Sequence, residues 1–491
     1  MSESDTITLP GIKPAAAADG PVPRRGLSIA VVLIGVFVSS LDLFIVNIAF
    51  PDMGRTFRSS TLSGLSWVLS AYAITFAALL MPAGGWADRS GRKRAYLIGL
   101  TLFTAASAAC AAADSLGLLV AARVLQAVGG ALMLPSSLGL LLPLFPPDKR
   151  GGAIGLWSAM GGAAAAFGPP IGGLLVQISW RWVFIVNLPI GVLTVLIGIR
   201  TLREIRAERS SAPDVLGALV LAATVGAVVA AIVQGQSWGW HSPRVLGLFV
   251  LGGLGIVFST QRALRHPSPV IEPAIFRIPV VALADVATMF FFAGFGAMIL
   301  ASTLFLTEIW GHSVLRAGLE ISAGPIAASF FAVPGGILAT KYGSRLVGFV
   351  GSVLFAVGGV LWATGPGVHA DYVGTFLPGG IIAGIGSGLA LPSLSGAATL
   401  PLPPERFATG TAMVSMCRQV GLALGVAAVA AVLDVRPNVA AFHKTWLFMA
   451  ACGLAGGLTM SRIRRGRHRG RRRYVRRPIE TGQPSVWRSA E

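Results

Sequence analysis

The chain has 491 residues, of which 54% are apolar and only 12% charged. Soluble domains carry roughly 25% charged residues, and at ~100–200 residues per domain this length would call for three or four of them. So few polar side chains cannot clothe that much water-exposed surface, which excludes an ordinary soluble enzyme and leaves a polytopic membrane protein. Lysine and arginine total 39 against 20 acids, a net charge of +19. Such an excess points to nucleic acid, anionic lipid or the Lys/Arg bias of cytoplasmic loops, and the placement of the charges separates these.

Along the chain, residues 1–26 hold Glu3, Asp5 and several prolines, and no small-residue cleavage site follows the first apolar run. They read as a disordered cytoplasmic tail and not as a cleaved signal peptide. A spanning helix needs ~20 mostly apolar residues. Fourteen such runs follow, at 27–49, 64–86, 95–113, 116–140, 153–176, 182–202, 214–234, 244–264, 282–307, 316–338, 346–365, 373–395, 410–434 and 443–461. They alternate nowhere with period two, which argues against a barrel and for an all-α protein. The 62 glycines suit close helix approach in lipid. With the N-terminus inside, 30 of the Lys and Arg fall in cytoplasmic segments, seven in outer loops and two (Arg123, Arg418) within spans. This split fits an even number of spans with both termini cytoplasmic. Ten of the arginines lie within 462–477, where a basic cluster serves as a stop-transfer and anionic-lipid anchor. Nucleic-acid binding is not expected, for no aromatic platform or folded module adjoins it.

The sequence also repeats. Gly84-x-x-Ala87-Asp88-Arg89-x-Gly91-Arg92-Lys93 after the second span matches a degenerate Gly336-x-x-Ala339-Thr340-Lys341-x-Gly343-x-Arg345 after the tenth. Val128-Gly129-Gly130…Pro135-Ser136 in the fourth span matches Ile385-Gly386-x-Gly388…Pro392-Ser393 in the twelfth. The offsets are 252 and 257 residues, which indicates two homologous six-helix halves. The expected organisation is a tail (1–26), an N-terminal bundle (27–202), two linker helices (203–281), a C-terminal bundle (282–461) and an Arg-rich tail (462–491).

Four further segments complete the pattern: Leu41-Asp42-x-x-Ile45-Val46-Asn47 in the first span, Arg123-x-x-Gln126-Ala127-x-Gly129 in the fourth, Gly168-Pro169-Pro170-x-Gly172-Gly173 in the fifth, and Trp180-Arg181-Trp182-x-Phe184-x-x-Asn187-x-Pro189 at the start of the sixth. Together with the loop after the second span, they resemble the fourteen-helix drug:proton antiporter family (EmrB/QacA-like) of the major facilitator superfamily, over nearly all of 27–460. Phe44 stands where that family usually has Thr, and Ala127 where it usually has Gly. The resemblance implies a major facilitator fold and proton-coupled export of lipophilic or amphipathic drugs from a prokaryotic cell, with small molecules and protons as partners and the cell membrane as location. A dedicated metabolite exporter, or a transport-inactive sensor or scaffold, are the alternatives; no appended soluble domain supports the last.

The residues of these motifs can be read physically. An ionised Asp42 at mid-helix costs ~2.5–3.5 kcal/mol on insertion scales, so it should face the bundle interior as a candidate proton carrier or a hydrogen-bonded structural acid. Arg123 cannot deprotonate and can only tune a neighbour. Both lie about seven residues, or ~10 Å, below the outer face, so an Asp42–Arg123 couple is expected. In the loop motif, Gly84 and Gly91 permit a tight turn. Asp88 either caps the following helix or pairs with a cation of the other half, and with Arg89 and Arg92 forms a gating loop. Gly168, Pro169, Gly172 and Gly173 kink and pack the fifth span against leak. Asn47, Gln126, Arg418 and Gln419 are candidate cavity groups, and Asp285, expected near the headgroups, is a secondary proton-site candidate. Trp180 and Trp182 fit an interfacial belt. The spacing of Cys110, Cys417 and Cys452 supports neither disulfide nor zinc. No P-loop or nucleophile elbow occurs, so neither an enzyme nor a cofactor is expected.

Overall fold

The computed structural model describes residues 25–57, 62–205, 214–266, 269, 275, 278–433 and 438–463. Residues 1–24 and 464–491, on which the two tail expectations chiefly rest, lie outside the described residues. Fourteen long helices account for the apolar runs: α1 (Arg25–Thr56), α2 (Leu62–Ser90), α3 (Arg92–Ala112), α4 (Leu116–Leu141), α5 (Arg150–Ile178), α6 (Asn187–Thr201), α7 (Val215–Trp238), α8 (Pro243–Arg265), α9 (Pro279–Leu304), α10 (Ala323–Tyr342), α11 (Ser344–Thr364), α12 (Leu377–Thr399), α13 (Phe407–Leu433) and α14 (Val439–Ser461). Short helices, Trp182–Ile185 and Val314–Ile321, lead into α6 and α10. Among the described residues, thirteen spans are long and apolar enough to cross a membrane. The remaining helix, α14, is 23 residues long, but His443 and Lys444 near its start dilute its hydropathy.

The helices sort by what they touch. Within the first group α4 packs on α2 and α3, α1 on α5, and α6 on α1 and α3. Within the second group α12 packs on α10 and α11, while α9 packs on α13 and α14. Helices α7 and α8 pair with each other, and α7 lies against α2 and α13. Helix α8 is outermost and turns Val250, Leu251 and Leu254 outward, as a lipid-facing helix should. At their cytoplasmic ends, Asp214 at the N-cap of α7 accepts from Arg262 Nε of α8 at 2.8 Å. Desolvation works against the Asp214 charge, but the Gly217 N–H and the Arg262 guanidinium outweigh it and hold the carboxyl below the ordinary aspartate range. The tie is therefore complete at every pH above that range and is lost only as pH falls through the depressed value.

Two helix crossings show the repeat at atomic scale. A Cβ on Gly129 of α4 would lie 2.6 Å from the Phe103 nitrogen and 2.7 Å from the Gly99 carbonyl of α3. In α12, a Cβ on Gly386 would abut the Phe355 nitrogen and lie 2.6 Å from the Gly351 carbonyl of α11. Gly351 and Phe355 stand 252 positions after Gly99 and Phe103, and Gly386 stands 257 after Gly129, the two offsets of the sequence landmarks. Gly91 and Gly343, likewise 252 apart, turn the chain between α2 and α3 and between α10 and α11 with φ of 113° and 92°, a conformation that favours glycine. Because backbone meets backbone at these crossings, Gly129→Val should cost about 1–3 kcal/mol by overpacking. A thermal melt in detergent checks it: Gly129→Val lowers Tm, while Gly117→Val, whose Cβ would meet nothing within 4 Å, leaves it unchanged.

Candidate functional site

The first group of helices converges on one carboxylate. Asp42 of α1 is 0% exposed and Arg123 of α4 is 1% exposed. The Arg123 Nη1 donates to Asp42 Oδ2 at 2.5 Å, the couple expected from the depth of the two residues. Gln126, one turn along α4, donates from Nε2 to Asp42 Oδ1 at 2.8 Å and to Ser107 Oγ of α3 at 2.8 Å. Its Oε1 accepts from Arg123 at 2.6 Å. Asn187, the first residue of α6, reaches Asp42 Oδ1 and Ser107 Oγ, both at 3.4 Å. Arg123 is held further by the Val68 carbonyl of α2 at 3.2 Å and by the Tyr72 ring, 4.1 Å below its guanidinium carbon. Thus both carboxylate oxygens and most of the guanidinium are satisfied, the condition for keeping an ion pair out of water. Ser107, Tyr72 and Asn187 were not among the expected site residues. The signal for Asn187 was its place in the Trp-Arg-Trp segment, and for Ser107 and Tyr72 their polarity within apolar spans.

Behind Asp42, the glycine-proline segment of α5 faces two ways. A Cβ on Gly168 would lie 2.6 Å from the Phe44 Cβ, and one on Gly172 would lie 2.9 Å from Ile45 and 3.2 Å from Ile48, all on α1. On the other side, a Cβ on Gly173 would touch Leu315 at 3.0 Å, and one on Gly318 would reach Pro169 at 2.9 Å. Ser322 donates to the Ala166 carbonyl at 3.2 Å. Helix α5 therefore links the helix that carries Asp42 to the second group of helices.

At the cytoplasmic end the loop motif makes the second cluster. Asp88 and Arg92 are both 0% exposed. Asp88 Oδ1 accepts from Arg92 Nε at 2.8 Å, and Arg92 Nη1 donates to the Gly139 carbonyl of α4 at 2.9 Å, with Nη2 on the Pro404 carbonyl. Asp88 Oδ2 accepts from the backbone N–H and the hydroxyl of Thr409, at 2.8 and 2.7 Å. Thr409 is the third residue of α13, so the carboxylate sits on a helix N-terminus of the second group, where the dipole and unpaired N–H groups favour an anion. Across the interface, then, Asp88 meets the N–H and hydroxyl of a helix terminus, a partner outside the two expectations of a cap on the following helix or a cation of the other half. Helix α3 is capped instead by Glu204, whose carboxylate accepts from the Lys93 and Arg94 nitrogens at 3.0 and 3.1 Å. Gly84 lets α2 approach α13, for its Cβ would lie 2.6 Å from that of Ala412. Arg89 is half-buried beside it. In the second repeat Thr340 packs against Gly151 near the start of α5, a neutral contact where the first has a charge.

The other expected residues are more scattered. Arg418 of α13 stacks over the Phe292 ring of α9 at 5.3 Å, and Gln419 is half-buried beside it. Asp285 is buried, 5% exposed, and neither carboxyl oxygen has a hydrogen-bond partner among the described residues. The side chain of Asn47 lies outside the described residues. Trp180 is buried, donating to Thr56 Oγ1 at 3.0 Å and tilted against Phe57, so only Trp182, 40% exposed, suits an interfacial belt. Among the described residues no His, Cys, Asp and Glu cluster could hold a metal.

Comparison with known proteins follows this geometry. The family profile described as Major Facilitator Superfamily matches residues 32–260 and 286–489. A methylenomycin A resistance protein of Streptomyces coelicolor is 33% identical over 89% of this chain and 92% of its own length. The multidrug resistance protein Stp of Mycobacterium tuberculosis is 33% identical over 82% of this chain and 74% of its own. Among solved structures, the human organic anion transporter MFSD10 (TETRAN) superposes with a TM-score of 0.66 at 13% identity, covering 89% of this chain and 100% of that one. The last likeness concerns the fold alone.

The Asp88 contact gives a direct prediction. A charged cap on a helix N-terminus contributes about 0.5–2 kcal/mol. Asp88→Asn should therefore raise the population of conformers open at the cytoplasmic end roughly twofold to thirtyfold. Spin labels at Lys149 and Lys341, on the facing ends of α5 and α10, should gain a longer-distance population in the variant. An unchanged distance distribution contradicts it.

Proposed function

The chain belongs to the Major Facilitator Superfamily, and on that premise we propose that it exports lipophilic and amphipathic drugs in exchange for protons by alternating access. It is a multi-pass transporter of the cell membrane whose substrates are small molecules. The relatives named for methylenomycin A and multidrug resistance support drugs as the substrate class. A dedicated exporter of one endogenous metabolite is the second reading, favoured by the relative named a probable actinorhodin transporter.

The observation that carries proton coupling is the Asp42–Arg123 network. An ionised Asp42 is stable where it stands because Arg123, Gln126 and Asn187 all donate to it. When a proton arrives from the outer side and neutralises Asp42, it removes the charge that holds Arg123. The guanidinium then keeps the Val68 carbonyl, Gln126 and the Tyr72 and Phe184 rings, and among the described residues it has no charged partner besides Asp42. Helix α1 is thereby released from α4, and α5, seated on α1 through Gly168 and Gly172, carries the change to the second group. In this account residues 27–202 and 282–461 are the two rocking bodies, and 203–281 is a flanking pair. The Asp88–Thr409 contact is the cytoplasmic latch that must part when the inner face opens. The arginines of 462–477 rest on anionic lipid at ~1 kcal/mol per charge.

The driving force suffices. One proton crossing ~100 mV gains ~2.3 kcal/mol, and one pH unit adds ~1.4. Together these sustain a gradient of several hundred-fold for a neutral solute exchanged one for one.

The test uses inverted vesicles made acidic inside, challenged with ethidium or puromycin. Wild type should show substrate-induced alkalinisation, Asp42→Asn none, and Arg123→Gln at least a tenfold loss. Proton movement that persists in a folded Asp42→Asn variant removes the proton from this residue. An Arg123→Met variant, which leaves a buried charge unpaired, should also lose about 3–5 kcal/mol of stability.

A further inference from the structure

The second group of helices holds a carboxyl that the mechanism above does not use. Asp285 on α9 is 5% exposed, and both its oxygens are buried without a hydrogen-bond partner among the described residues. The contrast with Asp42, which receives three donors, is complete. An ionised carboxylate without donor or cation in an apolar interior is among the most costly groups a fold can bury. Asp285 therefore stands in this conformer as the neutral acid.

The nearest cation in the register of the packed helix is engaged elsewhere. Helices α9 and α13 run parallel and in register, because a Cβ on Gly421 would abut the Met289 carbonyl and lie 3.1 Å from the Ala293 nitrogen, and one on Gly425 would abut the Ala293 carbonyl. One turn back, the same register sets Cys417 level with Asp285, within electrostatic reach of it. Arg418 follows directly. Its guanidinium points away, up to the Phe292 ring at 5.3 Å, and it makes no ion pair among the described residues. Among the described residues, the long helices packed on α9 (α12, α13 and α14) contribute between their ends Cys417, Arg418 and Cys452 as ionisable groups; His443, Lys444, Glu308, Arg316 and Glu320 stand at the outer end, and Arg406 and Arg462 at the cytoplasmic end.

We propose that Asp285 and Arg418 form a second proton couple that works out of step with the first. In the cytoplasm-closed conformer Asp285 keeps its proton and Arg418 rests on Phe292. In the cytoplasm-open conformer Asp285 gives that proton to the inside, and the resulting carboxylate pairs with Arg418, which swings down from the ring. Only the Asp285 O–H bond breaks, and Arg418 stays charged throughout. With Asp42, this makes two protons per cycle, loaded one after the other. The inference rests on the antiport reading above.

The test is the steady-state ethidium gradient in proteoliposomes with the membrane potential clamped at zero, as ΔpH is varied. Two protons per substrate make the gradient grow about 100-fold per pH unit, and one proton about 10-fold. Wild type should give the steeper dependence. Asp285→Asn and, independently, Arg418→Gln should give the shallower one while still transporting. Infrared difference spectra should show the C=O stretch of a protonated carboxyl that vanishes in Asp285→Asn. A wild-type dependence of about 10-fold, or a folded Asp285→Asn that keeps the wild-type slope or the carboxyl band, overturns the second couple and leaves antiport intact. No dependence on ΔpH in wild type overturns antiport itself, and the second couple with it.

Discussion

A carboxylate placed at mid-membrane has to be met by donors, and meeting Asp42 organises the first half of the molecule. Its partners come from α4 (Arg123, Gln126) and α6 (Asn187), with Ser107 of α3 and Val68 of α2 holding those partners in turn. Five helices are thus fixed around one charge. Arg123 brings a planar, permanently charged fork that cannot discharge the pair by losing its own proton, so the only chemical way to dissolve the arrangement is to protonate Asp42. Stability and switching are then the same property: the network is firm while the acid is ionised and loses its chief attraction when it is not.

The two halves share a backbone plan but not its chemistry. The α3–α4 and α11–α12 crossings are superimposable in kind, glycine against backbone at matched positions. At the positions 257 residues after Arg123 and Gln126, however, stand Gly380 and Ala383, and a Cβ on Gly380 would lie 3.4 Å from the Trp362 ring. An aromatic cluster of Trp362, Phe376 and Trp446 fills that region. At the cytoplasmic face the same asymmetry recurs, with Asp88 charged on the N-terminus of α13 and Thr340 neutral on α5. At these matched positions the first half carries charged contacts and the second apolar or neutral ones. The charge proposed for the second half, on Asp285 and Arg418, lies on different helices from those of the first couple.

Much of this was legible in the residues. Apolar runs of spanning length are unambiguous, and each of the fourteen became a long helix. The helices generally extend beyond the runs, as α1 does to Thr56, because a helix continues past the hydrocarbon where polar residues no longer mark it. The Asp42–Arg123 pairing followed from depth alone, since two groups at one level in a narrow bundle have few other partners. What stayed hidden depends on rotation and side-chain reach. Depth could not say that Gln126, Asn187 and Ser107 face Asp42, nor that Asp88 points across the interface to a helix terminus while Glu204 serves α3 from 111 residues away. Asp285 lies within the first turn of its expected span (282–307), and its position gave no sign of how deeply the packing of α13 on α9 through Gly421 and Gly425 would bury it.

The central claim is that neutralising Asp42 releases Arg123, so that proton binding at Asp42 and drug binding oppose one another. The most direct measurement is the equilibrium affinity of the purified protein for ethidium as a function of pH, in wild type and in Asp42→Asn. Opposition through Asp42 predicts that wild-type affinity falls as pH is lowered, by up to tenfold per pH unit for each proton that opposes the drug, while the variant loses the Asp42 share of that dependence and binds more weakly at high pH. A variant with the wild-type pH profile would contradict the account.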